Sequence, residues 1–490
     1  MAGPEPEWEC VSQLGSGGFG IVHVWRHGPS GQQWALKSCR LGPGESLASR
    51  AGQAWVRECD IMLRLRHPGV VTCVATPRGL QGPSDLPTLC MEYCEAGDLR
   101  RELNRPESCR GLPQAQVLEI LNDVTSALGY LHNRRIIHRD IKPENVVMKA
   151  ADTRLVYKLI DLGYAKELGV SSLARSFVGT LQYVAPELFL EQDYSKSVDY
   201  WSLGLLSHEI VTGQRPFLPH MSPGQWIHQV EEKRYEDISV VQDVEGEVRH
   251  LTRLSDTSLV CPPLARAMEP WLRSLLDWRP AHRGRDQADN VMVFTQVISL
   301  MHLNIYKNTL QLNEILTSVP ISVFSTVAGE CVWVTRAQAP SVTSLLVTLA
   351  QVTMMSRDHM LLLTREGQRL HPEDSLNISP GPPDQPDFYL YSITPCSYNK
   401  VINIPDLVKL ALTDTKRSLQ DYHLKKMFAQ GYHFINEHCQ NIRHMGTSLK
   451  LLETFLRTKL ESLADVTQGL GPDKLSIEVK WEMFKESFQV

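Results

Sequence analysis

The 490-residue sequence lacks several features that define other classes of protein. It has no run of about 18 consecutive apolar residues, the length that a helix needs to cross a membrane. Residues 1–7 lack the basic flank and the apolar core of a signal peptide. We therefore expect no membrane insertion and a cytoplasmic protein, with the nucleus as a second location.

The cysteines argue against a disulfide-stabilised or zinc-binding protein, and the charge argues against a nucleic-acid-binding protein. The 11 cysteines are an odd number and form no Cys-x-x-Cys pair, so we interpret them as reduced thiols and not as a disulfide framework or a zinc site. The net charge is −5, from 50 basic and 55 acidic residues. This balance argues against a protein dominated by a basic face, so no nucleic-acid partner is expected.

What is present is the apolar content of a folded protein, because 42% of the residues are hydrophobic. The length exceeds one typical core, so two or three domains are expected. Short apolar runs between glycine-rich turns predict a small β-rich lobe over residues 8–90. From Gln114 onward, apolar residues at helical spacing predict a larger helical lobe that extends to about residue 300.

The pattern changes after residue 305 and again near residue 398. A compact β-α-β module is predicted over 305–395, with strands at 321–327, 331–335, 360–364 and 388–393 and a helix at 341–353. The remainder, 398–490, is predicted to be helical.

One long helix in this last part carries an apolar residue at every seventh position. The repeating residues are Phe428, Ile435, Ile442, Leu449, Leu456 and Leu463. A second seam contains Met445 and Leu452 but is interrupted by Gly431, His438 and Lys459. The stripe could pack against the chain's own domains or against a helix of another chain. The interruptions favour packing within the chain.

The most specific motif is His-Arg-Asp-Ile-Lys-Pro-Glu-Asn at positions 138–145, followed 21 positions after Asp140 by the Asp-Leu-Gly that begins at Asp161. This order is the pattern with which protein kinases bind magnesium and ATP phosphates. It assigns Asp140 to accepting the proton of a substrate hydroxyl and Lys142 to steadying the transferred phosphoryl group. Asn145 and Asp161 supply the hard oxygen ligands that Mg²⁺ requires. A polar turn would explain any two of these residues but not all of them in this order. Lys142 favours serine or threonine, and not tyrosine, as the residue that accepts the phosphoryl group.

A glycine-rich segment near the N-terminus, Gly-Ser-Gly-Gly-Phe-Gly at positions 15–20, lies between two strand-like runs. Gly15, Gly17 and Gly20 would let backbone amides approach phosphate, and Val22 would cover an adenine. Taken alone, a glycine-rich hairpin also has a purely structural explanation.

Lys37 ends a strand-like run, and Glu58 shares an otherwise apolar helical face with Ile61, Met62 and Leu65. A carboxylate on such a stripe is costly unless it has a cationic partner. We therefore expect Lys37 to pair with Glu58, although a lone lysine on a strand is more often simply solvated.

Several segments closely resemble the inhibitor-of-NF-κB kinases (IκB kinases) of the alpha and beta type. The segments are Asp161-Leu-Gly-Tyr-Ala-Lys-Glu-Leu, Ser176-Phe-Val-Gly-Thr, Ala185-Pro-Glu, Met91-Glu-Tyr-Cys and Arg215-Pro-Phe-Leu-Pro. The resemblance implies an α+β fold class, with a bilobal protein kinase fold at 8–300, a ubiquitin-like β-grasp domain at 305–395, and an α-helical scaffold and dimerisation-like segment at 398–490. That last segment is truncated relative to the family.

The resemblance also implies the contacts and the activity. ATP contacts are expected from Leu14, Gly15, Gly17, Gly20, Val22, Ala35, Lys37, Met91, Glu92 and Cys94. By family analogy Glu187 pairs with Arg283, and Asp199 braces the catalytic loop. The implied reaction is the transfer of the γ-phosphoryl group of ATP, with Mg²⁺, to serines of inhibitor-of-NF-κB-type proteins.

Regulation and partners follow from the same resemblance. An upstream kinase would activate the enzyme by phosphorylating Ser172 and Ser176, which adds about 1.5 to 2 negative charges at each serine for Arg139 and Lys166 to bind. The family forms homodimers or heterodimers of IκB kinase subunits. The sequence ends at Val490 without a segment like the family's adaptor-binding one, which argues against adaptor binding. The alternatives are a non-catalytic signalling scaffold and a serine/threonine kinase with other substrates.

Overall fold

The computed structural model describes residues 7–17, 20–39, 49–77, 80, 87–152, 154–161, 181–190, 194–243, 246–255, 258–285, 320–336, 338–376, 385–394 and 421–466. The chain divides into two compact units. The first comprises residues 1–305 and 405–433, and the second comprises residues 306–404 and 434–490.

The first unit begins with a five-stranded antiparallel sheet in the order β1-β2-β3-β5-β4. The strands are β1 (Trp8–Gly17), β2 (Gly20–His27), β3 (Gln33–Cys39), β4 (Cys73–Val74) and β5 (Thr88–Glu92). Gly20 lies so close to β3 that a Cβ atom there would come within 2.2 Å of the Ser38 carbonyl oxygen. A glycine is therefore required at this position for the strands to pair.

Helix α1 (Arg50–Arg64) packs on this sheet through its apolar face. Its first turn is capped by the Ser49 side chain, which accepts a hydrogen bond from the Gly52 N–H. Trp55, Cys59 and Met62 are buried on the inward face of the helix. Glu58 belongs to the same face, so its carboxylate is carried towards the sheet.

The rest of the first unit is mainly helical. Its elements are α2 (Leu99–Leu103), α3 (Gln114–Asn133), β6 (Val146–Ala150), β7 (Leu155–Leu159), α4 (Pro186–Phe189), α5 (Ser197–Thr212), α6 (Pro223–Glu231), β8 (Ser239–Gln242), β9 (Val248–Leu251) and α7 (Pro262–Leu275). Helix α5 is buried along its whole length, and Gly213 ends it with a left-handed φ of 75°. The predicted β-rich lobe and helical lobe are thus both present.

The second unit contains a four-stranded sheet in the order β11-β10-β13-β12. Its elements are β10 (Pro320–Ser325), β11 (Glu330–Thr335), α8 (Val342–Thr353), β12 (Met360–Thr364) and β13 (Phe388–Ser392), and α9 (Asp421–Val466) continues into it from the first unit. Strands β10 and β13 are parallel, and the other pairs are antiparallel. The predicted strands and helix are confirmed to within one residue, except that the first strand ends at Ser325, two residues before its predicted end.

The two faces of this sheet are covered by different helices. Side chains of α8 fill one face, and Phe324, Leu361 and Tyr391 on the other face pack with Leu452 and Phe455 of α9. The Tyr391 hydroxyl donates to the Ser448 carbonyl oxygen at 2.7 Å. The second seam predicted for α9, which contains Met445 and Leu452, is therefore the one that contacts the sheet.

The heptad stripe itself is largely exposed, so the preference for packing within the chain is wrong for four of its members. Phe428, Ile435, Ile442 and Leu449 expose 66%, 63%, 72% and 48% of their surfaces. A straight α-helix drifts by about 20° per heptad relative to a seven-residue repeat. Only some members of the stripe can therefore face a single sheet, and the others point away from it.

None of the helices in the described ranges is long and apolar enough to span a membrane. The ten cysteines in these ranges are all free thiols, as the sequence predicts.

Candidate active site

Strand β3 and helix α1 bring the predicted ion pair together. Lys37 Nζ lies 2.8 Å from Glu58 Oε1, and the side chains are only 8% and 5% exposed. Lys37 Nζ also contacts Asp161 Oδ1. Burial opposes the charge on Lys37, but the carboxylates of Asp161 and Glu58 outweigh it and raise the pKa of the ammonium group. Lys37 is therefore charged and linked to two carboxylates.

The two carboxylates respond differently to this environment. Burial raises the pKa of Glu58, and the Asp161 charge adds to that effect while Lys37 opposes it. Burial also raises the pKa of Asp161, but the charge and the hydrogen bond of Lys37 outweigh this effect, so the pKa of Asp161 is lowered. Lys37 therefore stabilises the ionised form of Asp161.

Trp55 supports this cluster, and sequence reasoning missed it. Its indole N–H donates to the Pro87 carbonyl oxygen at 2.7 Å, and Lys37 Nζ lies 5.5 Å from the centroid of its ring. Trp55 stands three residues before Glu58, on the same helical face. That spacing is the signal that could have identified it.

The catalytic-loop motif follows α3 and includes a short 3₁₀ turn, Pro143–Asn145. Asp140 is buried, and its Oδ2 lies 2.7 Å from Lys142 Nζ. Asn145 Nδ2 donates to Asp140 Oδ2 at 2.7 Å and to the Asp140 carbonyl oxygen at 2.8 Å. The three predicted residues therefore form one hydrogen-bonded group.

Asp199 of α5 holds the backbone of this loop, as family analogy predicts. Its carboxylate accepts from the His138 N–H at 2.9 Å and from the Arg139 N–H at 2.7 Å. Arg139 has a left-handed φ of 68°, a conformation that is uncommon for a side-chain-bearing residue. Two hydrogen bonds to one buried carboxylate stabilise that conformation.

His138 connects the loop to the strand that carries Asp161. Burial lowers the pKa of His138, so the ring is neutral. Its Nε2 lies 3.0 Å from the Ile160 carbonyl oxygen and donates to it. The Ile160 N–H donates in turn to the Asn145 carbonyl oxygen at 3.0 Å. These bonds place the predicted metal ligands Asn145 and Asp161 beside each other.

The donor chemistry of these two residues fits a magnesium ion. Asn145 uses its amide nitrogen for Asp140, so its side-chain carbonyl oxygen can face a cation. Asp161 supplies a carboxylate that is 42% exposed. Both are hard oxygen donors of the kind that Mg²⁺ prefers alongside phosphate oxygens and water.

The residues expected around an adenine lie on the sheet. Val22, Ala35 and Met91 share one apolar cluster and are neighbours by strand register, with Val22 opposite Lys37 and Ala35 opposite Met91. Leu14 is 51% exposed at the edge of this region. Gly15 and Gly17 belong to β1, and a Cβ atom at Gly15 would meet open space. Gly18 and Phe19 lie outside the described residues.

Glu92 ends β5, and Cys94 lies in the segment that follows it and connects the two lobes. The Glu92 carboxylate accepts hydrogen bonds from Lys149 and Lys158, partners that the sequence motifs did not indicate. Burial raises the pKa of the Cys94 thiol to about 12. Cys94 is therefore a neutral thiol and not a reactive one.

The predicted phosphorylation sites Ser172 and Ser176 lie outside the described residues. The segment that follows them is anchored by the predicted ion pair between Glu187 and Arg283. Arg283 donates to both carboxylate oxygens, at 2.6 and 3.1 Å, and both side chains are buried. Arg100 links the same region to the catalytic loop, because it contacts Tyr183 and Glu144.

Comparison with known proteins identifies the family of this chain and several relatives. The model of the protein kinase domain family matches residues 8–285. The chain is 35% identical over 496 residues to the inhibitor of nuclear factor kappa-B kinase subunit beta of Bos taurus, covering 99% of this chain and 63% of the relative. It is 45% identical over 278 residues to the corresponding subunit alpha of Gallus gallus, covering 56% of this chain and 36% of the relative. The chain thus spans less than two thirds of the length of these relatives.

Proposed function

Because the chain belongs to the protein kinase family, and within it to the inhibitor-of-NF-κB kinases, we propose that it transfers the γ-phosphoryl group of ATP to serine or threonine. The observation that carries this proposal is the hydrogen-bonded group of Asp140, Lys142 and Asn145 beside Asp161. A structural turn does not require a buried carboxylate, a lysine and an amide at one point. Phosphoryl transfer requires them together.

Each residue has a distinct role in the proposal. Asp140 orients the substrate hydroxyl and accepts its proton. Lys142, 2.7 Å from Asp140, stabilises the negative charge of the phosphoryl group during transfer. Lys37 exchanges part of its contact with Asp161 for the ATP phosphates while Glu58 keeps it in position.

Asn145 and Asp161 would hold Mg²⁺, which neutralises charge on the phosphates when it is bound. The nucleotide would lie under Gly15, Gly17 and Gly20, with its base against the apolar residues Val22, Ala35 and Met91 and the connecting segment.

We further propose the substrates and the architecture by analogy with the relatives. Their names support inhibitor-of-NF-κB-type proteins as substrates and assembly with another subunit. We propose that this assembly is a dimer in the cytoplasm. The domains would be a kinase domain at 8–300, a ubiquitin-like domain at 305–395 and a helical scaffold segment at 398–490. The mixed four-stranded sheet with one packed helix supports the second of these.

The proposed activation step is phosphorylation of Ser172 and Ser176, with Arg139 as one of the groups that bind phosphate. Treatment with an upstream kinase should raise the activity of the wild type but not of Ser172→Ala/Ser176→Ala. Equal activation of both proteins would refute the switch.

The central experiment is in vitro transfer of labelled phosphate from ATP to candidate inhibitor proteins, with mapping of the modified residues. Asp140→Asn should reduce the rate by about 10²- to 10⁴-fold, because it removes the proton acceptor. Asp152→Asn, at an exposed turn, is the matched control and should match wild type. If Asp140→Asn is as active as wild type, the proposal is wrong. If the wild-type protein transfers no phosphate but still supports pathway output, the result favours the alternative of a non-catalytic signalling scaffold.

A further inference from the structure

Arg100 of helix α2 is bound by two carboxylates that come from different parts of the helical lobe. Its Nε donates to Glu144 Oε1 at 2.8 Å, and its Nη1 and Nη2 donate to the two oxygens of Glu209 at 2.7 and 3.3 Å. Nη2 also donates to the Tyr183 hydroxyl oxygen at 2.6 Å. Every nitrogen of the guanidinium group therefore has an acceptor, and we call these four residues the Arg100 cluster.

Burial and ion pairing set the charges in the Arg100 cluster. Burial raises the pKa of Tyr183, and the Glu209 charge adds to that effect, so the phenol is neutral and donates to Glu209. Burial opposes the charge of Arg100, but the charge and hydrogen bonds of Glu209, together with the charge of Glu144, outweigh it and raise the pKa of the guanidinium group. Arg215 interacts electrostatically with both carboxylates. Two cations thus balance two carboxylates, and the site has no net negative charge.

The Arg100 cluster reaches the surface beside the catalytic loop. The Glu209 side chain is only 7% exposed, whereas those of Arg100 and Glu144 are 23% and 45% exposed. Glu144 is four residues after Asp140 and directly precedes Asn145. Four residues span at most about 14 Å. A side chain a few positions from a substrate serine that meets Asp140 can therefore reach Glu144.

The two carboxylates have the chemistry of a binding site for a substrate arginine. A buried carboxylate that is bound through both oxygens, with a second carboxylate at the surface, matches the charge and the planar geometry of a guanidinium group. We propose that Arg100 is a specificity-determining residue. It occupies the site between Glu144 and Glu209 from within the chain, so peptides with arginine or lysine beside the acceptor serine gain no contact there. This inference rests on the proposed function.

The selection acts by excluding one class of substrate. A basic side chain that approached Glu144 would have to displace Arg100 from a buried carboxylate or lie against its guanidinium group, and both are unfavourable. Acceptor serines with neutral or acidic neighbours meet no such penalty. The Arg100 cluster therefore predicts serines in segments without basic residues as the substrate class.

The test compares kcat/KM for phosphoryl transfer to synthetic peptides, with the full chain as the enzyme. One peptide has a single serine among neutral residues, and the others carry one arginine at successive positions on either side of that serine. In wild type, no arginine should raise kcat/KM. In Arg100→Gln, arginine at positions that reach Glu144 should raise kcat/KM by about tenfold over the neutral peptide, because the released carboxylates form charge-assisted hydrogen bonds with it. Arg101→Gln, at an exposed position of the same helix, is the matched control and should keep the wild-type profile.

Two further variants keep the test decisive. Arg100→Lys retains a cation for the buried Glu209 carboxylate, so it replaces Arg100→Gln if that variant does not fold. An ammonium group cannot bind both carboxylates in the manner of a guanidinium group, so Glu144 is released and the preference for arginine should rise by about threefold. Adding Glu144→Gln to either variant should remove most of this preference, because the carboxylate at the surface is then lost.

The outcomes are distinguishable. An unchanged peptide profile in folded Arg100→Gln or Arg100→Lys, or an equal loss of kcat/KM for every peptide, would mean that Arg100 is merely structural and would overturn the inference. A preference for arginine in wild type, or one that survives Glu144→Gln, would overturn it as well. Failure of wild type to transfer phosphate to any peptide or candidate inhibitor protein would instead count against the proposed kinase function.

Discussion

Lys37 and Glu58 stand 21 residues apart in the sequence, and Lys37 Nζ lies 2.8 Å from Glu58 Oε1. This contact joins strand β3 to helix α1, and Asp161 joins it from the other side. The position of one helix therefore determines whether the lysine that would meet ATP is correctly placed.

Removing the Glu58 charge should uncouple that helix from the site. Glu58→Gln is expected to lower kcat/KM for ATP by about 10- to 100-fold, because a charge-assisted hydrogen bond is worth about 1.5–3 kcal/mol. Steady-state kinetics of phosphoryl transfer will measure the effect. Glu107→Gln, at an exposed position, is the control, and a Glu58→Gln enzyme with wild-type kinetics would contradict the prediction.

Trp55→Phe should also disturb the position of Lys37, because Trp55 packs beside the Lys37 ammonium group. It keeps an aromatic ring near Lys37 but loses the indole N–H that donates to the Pro87 carbonyl oxygen at 2.7 Å. We expect a loss of about 1 kcal/mol of stability together with a higher KM for ATP. Trp226→Phe, at a buried position of α6, should affect stability alone. An equal KM for ATP in Trp55→Phe and Trp226→Phe would argue against a role of Trp55 in positioning Lys37.

The buried pair of Glu187 and Arg283 should matter more for stability than an exposed pair. Arg283→Met leaves an ionised carboxylate buried without a cation, which costs about 3–5 kcal/mol. Arg26→Met removes the partner of Glu9, in an ion pair whose side chains are 48% and 61% exposed, and should cost about 1 kcal/mol or less. Urea unfolding followed by tryptophan fluorescence will compare them. Adding Glu187→Met to Arg283→Met should recover part of the loss, and a further loss would contradict this account.

His208 should make the first unit sensitive to acid. Burial lowers the pKa of this histidine from 6.5 to about 4, and its Nδ1 lies 2.8 Å from the Gln214 carbonyl oxygen. Between these two pKa values the unfolded chain binds a proton that the folded protein excludes, so stability falls as pH falls through this window. The loss is about 3 kcal/mol in total.

His208→Asn cannot titrate, so the stability difference between wild type and this variant should shrink as pH falls from 7 to 4.5. Urea unfolding at several pH values will measure it, with His228→Asn on the exposed side of α6 as the control for replacing a histidine. A difference for His208→Asn that stays constant across this range would contradict the assigned pKa shift.

Much of the fold could be predicted because strand and helix periodicity are local properties of the chain. The strands Glu330–Thr335 and Met360–Thr364 lie within one residue of their predicted positions. The Lys37–Glu58 pair could be predicted as well, because a carboxylate on an apolar helical face requires a cation. The activation serines Ser172 and Ser176 stay predictions.

Other features could not be found in this way. The heptad pattern of α9 indicated a packing stripe, but the sheet contacts the neighbouring seam at Met445 and Leu452. Trp55 and Lys158 belong to no motif, and their partners Pro87 and Glu92 are 32 and 66 positions away in the sequence. Nothing in local periodicity encodes such distant partners.

The sequence by itself determined the chemical groups and their order: the catalytic-loop motif, the Asp-Leu-Gly, and the strands and helices that carry them. These features depend on covalent neighbours and on repeat periods. Only the tertiary structure decided that Glu92 is bound by Lys149 and Lys158, that Trp55 donates to Pro87, and which seam of α9 covers the sheet. The partner of a buried charge is set by which distant segments desolvate it together, and that is a property of the packed chain.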